Sequence, residues 1–122
     1  MTTKEVIMRT GIAVWTYDRS LTDDQKSWVG YSVQATDGDI GKIDEMTTET
    51  NRASIVVDTG FWIFGKKRLL PAASVRSVDH SNRTVTVSLT KDQIRNAPDY
   101  DALRRDEASY YDDFGRYYGE YL

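Results

Sequence analysis

Cysteine is absent from these 122 residues, proline occurs twice and histidine once. Without a thiol the chain can form no disulfide, no thiolate nucleophile and no Cys-based zinc site, and it suits a reducing cytoplasm, where we expect it to reside. Long apolar runs are also missing: Ile12 to Trp15 and Phe61 to Phe64 are the longest, far below the ~18 residues of a bilayer-crossing helix. Lys4 and Arg9 near the start have no signal-peptide core behind them, so export by that route is not expected and the chain is expected to begin near Met1. No excess of positive charge exists either. The net charge is −3, and all of the excess lies after residue 90, where five basic residues face eight acidic ones. Sequence-independent nucleic-acid binding draws on clustered Lys and Arg, so that class is disfavoured. One domain with one core fits this length, with no cofactor or staple needed.

What is present is a succession of short strand signals. Tyr31, Val33 and Ala35 alternate with polar neighbours, and Asp37-Gly38 offers a positive-φ pair for a tight hairpin. A second strand is expected from Asp39 to about Thr47, with Gly41 between Ile40 and Ile43 allowing a bulge. Thr48 to Arg52 reads as a polar turn, and Ser54 to Asp58 is a β-branched run suited to burial on both faces. Gly60 and Gly65 bracket a corner of four large apolar residues, Lys67 to Leu70 resumes the extended chain, and Pro71 stops it by removing a backbone donor. Ala72 to Ser74 has room only for a short turn. Val75 and Val78 open another strand, His80 to Arg83 turns, and Thr84 to Leu89 alternates most regularly of all. About six strands this closely spaced, with no helix between them, predict a mainly β fold: a small antiparallel barrel with short C-terminal helices.

After Leu89 the period changes. Thr90-Lys91-Asp92-Gln93 has the form of a capping box, and the helix it starts must end before Pro98. Leu103, Tyr110, Phe114, Tyr117 and Tyr121 then fall on one side of a helix, which Gly115 and Gly119 weaken. At the other end, Ile12 to Tyr17 has strand-like or anchoring residues, Asp18 to Lys26 reads as loop, and the first ten residues read as poorly ordered. The domain reading is an N-terminal extension over 1–27, partly ordered, a barrel over 28–98, and an acidic, tyrosine-rich helical tail over 99–122 that packs on the barrel or on a partner.

GYSVQATDGDIGKIDE at 30–45, IVVDTGFWIFGKKRLLP at 55–71, VRSVD at 75–79 and TKDQIRNAPDYD at 90–101 together resemble the PRC-barrel family, the small β-barrel of the photosynthetic reaction-centre H subunit that also occurs in the ribosome maturation factor RimM. The resemblance covers about seventy residues in register. The Trp15-Thr16-Tyr17 and Tyr117-Tyr118-Gly119 stretches are similar to the flanks of free-standing bacterial members. The resemblance implies a shape and a habit of docking: the H subunit caps a membrane complex and RimM contacts a ribosomal protein. It implies no catalytic residue, and a partner remains to be named.

Site by site, the residues point to binding. Gly60 to Lys67 approaches a phosphate-binding loop but carries Phe61, Trp62, Ile63 and Phe64 where small residues are needed, and Lys67 where a hydroxyl is needed. In extended geometry Phe61 and Ile63 point one way and Trp62 and Phe64 the other, so one pair needs a cover. That cover is either the tail, through Tyr110, Phe114, Tyr117 and Tyr121, a second copy of the chain, or a different protein. Lys66-Lys67-Arg68 reads as a charged edge that keeps a strand from pairing with strangers. His80 reads as an exposed turn residue; as a base it would lack an orienting carboxylate. Asp37, Asp39, Asp44 and Glu45 lack the spacing of a calcium loop, and no metal or other cofactor is expected. The six tyrosines after Pro98 suit a packed stripe better than base stacking. The reading is therefore a non-enzymatic, self-associating interaction module. The alternatives are an RNA- or ribosome-associated assembly factor similar to RimM and a small-ligand site in the barrel mouth.

Overall fold

The computed structural model describes residues 12–22, 26–49, 52–60, 67–101 and 107–122. Six strands are found among them: β1 (Ser32–Ala35), β2 (Gly38–Thr47), β3 (Ser54–Asp58), β4 (Lys67–Pro71), β5 (Val75–Asp79) and β6 (Thr84–Val87). Helical pieces are a 3-10 turn at Ile12–Trp15, α1 (Arg19–Thr22), a 3-10 turn at Ala72–Ser74, α2 (Lys91–Arg95) and α3 (Ala108–Gly119). The fold is mainly β. Within Ile12–Tyr17, read as strand-like or anchoring, Ile12–Trp15 winds into a helical turn and Trp15 and Tyr17 are buried, and α1 interrupts the stretch read as loop.

The strands form one mixed sheet in the order β4-β3-β2-β1-β6-β5. Here the antiparallel expectation is corrected: β1 and β6 run parallel, with Ser32 beside Thr84, Val33 beside Val85 and Gln34 beside Thr86. The physical reason lies in the link after Pro71. The β1–β2, β2–β3, β3–β4 and β5–β6 pairs are antiparallel, so each of those connections reverses the chain, whereas Ala72–Ser74 passes from β4 to β5 without reversal. One missing reversal turns the last neighbour parallel.

That same link bends the sheet. On a flat sheet the two outer strands of six would lie about 24 Å apart, five gaps of about 4.8 Å. Yet β4 and β5 are the two edges, and only the turn Ala72–Ser74 joins them. Four Cα steps from Pro71 to Val75 reach at most about 14 Å. The sheet therefore curls toward itself, although its edges share no ladder. Register shifts assist by adding local twist: β1 and β2 slip between Val33 and Gln34, β2 and β3 between Ile43 and Glu45, β5 and β6 between Val75 and Ser77. The first slip skips Ile40 next to Gly41, as the sequence suggested. Gly41 has φ +140, and a Cβ there would come within 2.0 Å of the Asp58 carbonyl oxygen, so only glycine fits. The hairpin itself differs from expectation: Ala35 pairs with Gly38 across Thr36-Asp37, and of Asp37 and Gly38 only the glycine has positive φ.

Residues directly opposite on neighbouring strands share a face. The inner face carries Val33, Ile43, Ile55, Val57, Leu70 and Val85, all buried. The outer face is polar along Lys42, Ser32 and Thr84, but on β3 and β4 it carries Val56 and Leu69, which are also buried. Strand β3 is thus buried on both faces, as its β-branched run predicts. Something must cover Val56 and Leu69 from outside. The C-terminal segment does so: Tyr100 and Tyr111 face Glu45, Ser54, Val56 and Leu69 across a groove of about 160 Å³.

Helix α2 begins with the capping box read from the sequence: Gln93 N donates to Thr90 Oγ1 at 3.1 Å, and Thr90 N donates to Gln93 Oε1 at 2.9 Å. It ends at Arg95, short of Pro98. No helix among the described residues is long and apolar enough to cross a membrane.

Candidate functional site

Of the residues expected at an interface, Phe61, Trp62, Ile63 and Phe64, with Gly65, lie outside the described residues. On either side of them, Asp58 and Lys67 are the last pair of the β3–β4 ladder. Gly60, the last described residue before them, has φ +63, and its amide donates to Asp58 Oδ1 at 3.0 Å.

The tail aromatics turn inward. In α3, Tyr110, Phe114 and Tyr118 are buried, with Phe114 edge-on to Tyr110 at 4.8 Å and stacked with Tyr118 at 6.3 Å. Tyr121, where the expected stripe ends, lies edge-on to Tyr117 at 5.5 Å and is 41% exposed, while Tyr118, outside that stripe, takes the buried position. Tyr117 is half-buried. Three tyrosine hydroxyls hold backbone carbonyls: Tyr118 donates to Leu69 O at 2.7 Å, Tyr117 to Gln93 O at 2.6 Å and Tyr110 to Asp99 O at 3.2 Å. Tyr110 also accepts from the Asp101 amide. Trp15 meets Tyr111 edge-on at 5.2 Å, which brings the N-terminal turn into the same cover.

Arg68 departs from its reading as part of a cationic edge. Only 5% of its side chain is exposed; Nη1 donates to Asp99 Oδ1 at 2.6 Å and Nη2 to Arg95 O at 3.1 Å, while Nε is buried without a partner. It fastens the end of α2 and the start of the tail to β4. Period two was the available signal, since it places Arg68 on the side of Leu70, whose side chain is in the core. Lys67, pointing the opposite way, does act at the surface and pairs with Asp44 at 2.5 Å.

The carboxylates of the β1–β2 region each have a separate task. Asp37 Oδ1 accepts from the Lys91 amide at 2.8 Å, tying the hairpin to α2; Asp39 accepts from Gln34 Nε2 at 3.0 Å, and Glu45 from the Tyr100 hydroxyl at 3.5 Å. Among the described residues no group of three or more metal-ligating side chains converges.

One cluster of polar groups does converge, at the end of the sheet where β1 begins. His80 is not an exposed turn residue: it is half-buried, and its Nδ1 lies 2.8 Å from the Tyr31 hydroxyl with the rings edge-on at 5.7 Å. The Arg83 guanidinium stands over the Tyr31 ring at 5.3 Å. Arg83 is also the only non-glycine among the described residues with positive φ, at 53°, and its carbonyl accepts from Ser32 N at 2.9 Å. Tyr31 and His80 are 49 residues apart in the chain, and no local pattern joins them.

Compared with known proteins, the chain matches no family model and no curated protein.

Proposed function

We propose that this chain is a non-enzymatic docking module of the PRC-barrel type that associates with a second copy of itself through Phe61, Trp62, Ile63 and Phe64. The observation that carries the reading is the fate of the tail. Tyr110, Phe114 and Tyr118 are sealed against their own sheet, and the hydroxyls of Tyr110, Tyr117 and Tyr118 are spent on carbonyls of the same chain. Tyr100 and Tyr111 of the same segment line the groove over Val56 and Leu69, and this use of the tail supports a second copy as the cover for the four apolar residues between β3 and β4. Each such side chain gains about 1.5–3 kcal/mol on leaving water, and a second copy presenting the same quartet across a twofold axis is a complementary cover. The curl imposed by the Ala72–Ser74 link and the order of the sequence motifs support the barrel type.

Light scattering is expected to give twice the chain mass of 13.9 kDa, and Trp62→Ser or Phe64→Ser is expected to shift the protein toward monomer. A wild-type protein that stays monomeric at micromolar concentration defeats the proposal.

A further inference from the structure

The cluster around Tyr31 differs in chemistry from the apolar quartet, and its geometry has a use of its own. A guanidinium donates hydrogen bonds in its plane and stacks through its faces. The Arg83 guanidinium stands over the Tyr31 ring at 5.3 Å, a cation–π contact that limits where its donors can go. Among the described residues it makes no ion pair, whereas Arg68, Arg95 and Arg116 each hold an aspartate. Asp79, the acid nearest in sequence, is engaged elsewhere, accepting from Asn82 N at 3.1 Å and from Asn82 Nδ2 at 2.7 Å.

The backbone serves the same arrangement. Arg83 takes a left-handed conformation that long side chains seldom adopt, and such conformations gather where binding makes use of them. Gly30, itself at φ +88, faces the guanidinium so closely that a Cβ there would come within 3.3 Å of Arg83 Nη2. The missing side chain is what lets the guanidinium lie that close to the Gly30 backbone. Below, His80 fixes the Tyr31 ring through the phenol hydroxyl, so the platform under the guanidinium is itself held in place.

We propose that Arg83, held over Tyr31 beside His80 and Gly30, forms an oxyanion-binding site that takes a phosphate or carboxylate group. A guanidinium fork matches two oxygens of either group. Contact with the ring leaves it less freedom to lose when the ligand arrives.

The test uses the single histidine, whose imidazole Hε1 is the only proton of its kind in the chain and so assigns itself. Inorganic phosphate and acetate are titrated separately into the full chain at fixed pH, with chloride holding ionic strength constant. A saturable shift of the His80 signal with either oxyanion is expected, and the tighter of the two identifies the ligand chemistry. Arg83→Asn keeps a residue tolerant of the left-handed backbone and removes the fork; binding is expected to weaken about tenfold or more. Should that variant fold poorly by circular dichroism, Arg83→Lys, which keeps the charge and loses the fork, is expected to show the same direction of change. No saturable shift with either oxyanion, or a titration unchanged in the folded arginine variant, overturns the site.

Discussion

The hydroxyl of Tyr118 donates to the carbonyl of Leu69 at 2.7 Å, and both residues are buried. This bond ties the last helix to an edge strand whose outward backbone groups would otherwise be open to pairing. It also explains why a helix with Gly115 in its interior, Gly119 at its end and no side-chain cap at Glu107 stays in place: its anchoring comes from tertiary packing rather than from helix propensity.

Removing that hydroxyl should be felt in stability. Tyr118→Phe leaves the Leu69 carbonyl buried without this partner, an expected loss of about 1–3 kcal/mol. Phe114→Ala, which opens a cavity under the same helix, is expected to lose about 3–5 kcal/mol. Urea unfolding monitored by circular dichroism measures both, and a Tyr118→Phe midpoint equal to wild type would show that the bond is dispensable.

Alkaline pH should weaken the fold through the same tyrosines. Burial, first, and then the neighbouring Tyr121 and Glu120 push the Tyr117 hydroxyl from 10.0 up to about 12, and burial pushes Tyr17 and Tyr118 up further. The folded chain thus keeps protons that the unfolded chain releases. Stability is full below pH about 10 and declines as pH rises toward about 12. Urea midpoints taken across this window should fall with pH, and a flat profile would contradict the burial of these hydroxyls.

Two ion pairs separate a half-buried latch from a surface one. Asp99→Ala takes a partner from the buried Arg68 guanidinium, and because Asp99 itself is 63% exposed the expected cost is about 1–3 kcal/mol. Asp113→Ala breaks the exposed pair with Arg116, whose side chains are 53% and 76% exposed, and is expected to cost less than about 0.5 kcal/mol. Equal losses in parallel denaturation curves would place Arg68 in solvent.

Two glycines should respond in opposite directions. Gly41→Ala drives a Cβ into the Asp58 carbonyl at positive φ and is expected to prevent folding or lower the melting temperature steeply. Gly115 sits inside α3 with ordinary φ, and a Cβ there would meet Trp15 Nε1 at 3.5 Å, a normal contact. Gly115→Ala is therefore expected to stabilise by about 0.5–1 kcal/mol, as read by thermal melting.

What residues close in the chain can settle was legible without coordinates. The β-branched run of β3, the stop at Pro71, the bulge beside Gly41 and the capping box at Thr90 each depend on a few neighbouring φ/ψ preferences and side-chain reaches. The mainly β class follows from their sum. Pairings between distant segments were decided only in three dimensions. Whether the β4-to-β5 link reverses the chain sets β6 parallel to β1; which face of α3 packs inward buries Tyr118 more deeply than Tyr117; and the meeting of Tyr31, His80 and Arg83 requires the sheet to bring the start of β1 against the β5–β6 turn. Local sequence carries the energy of local conformation, while the choice among distant contacts belongs to packing and chain direction, which no short stretch of residues contains.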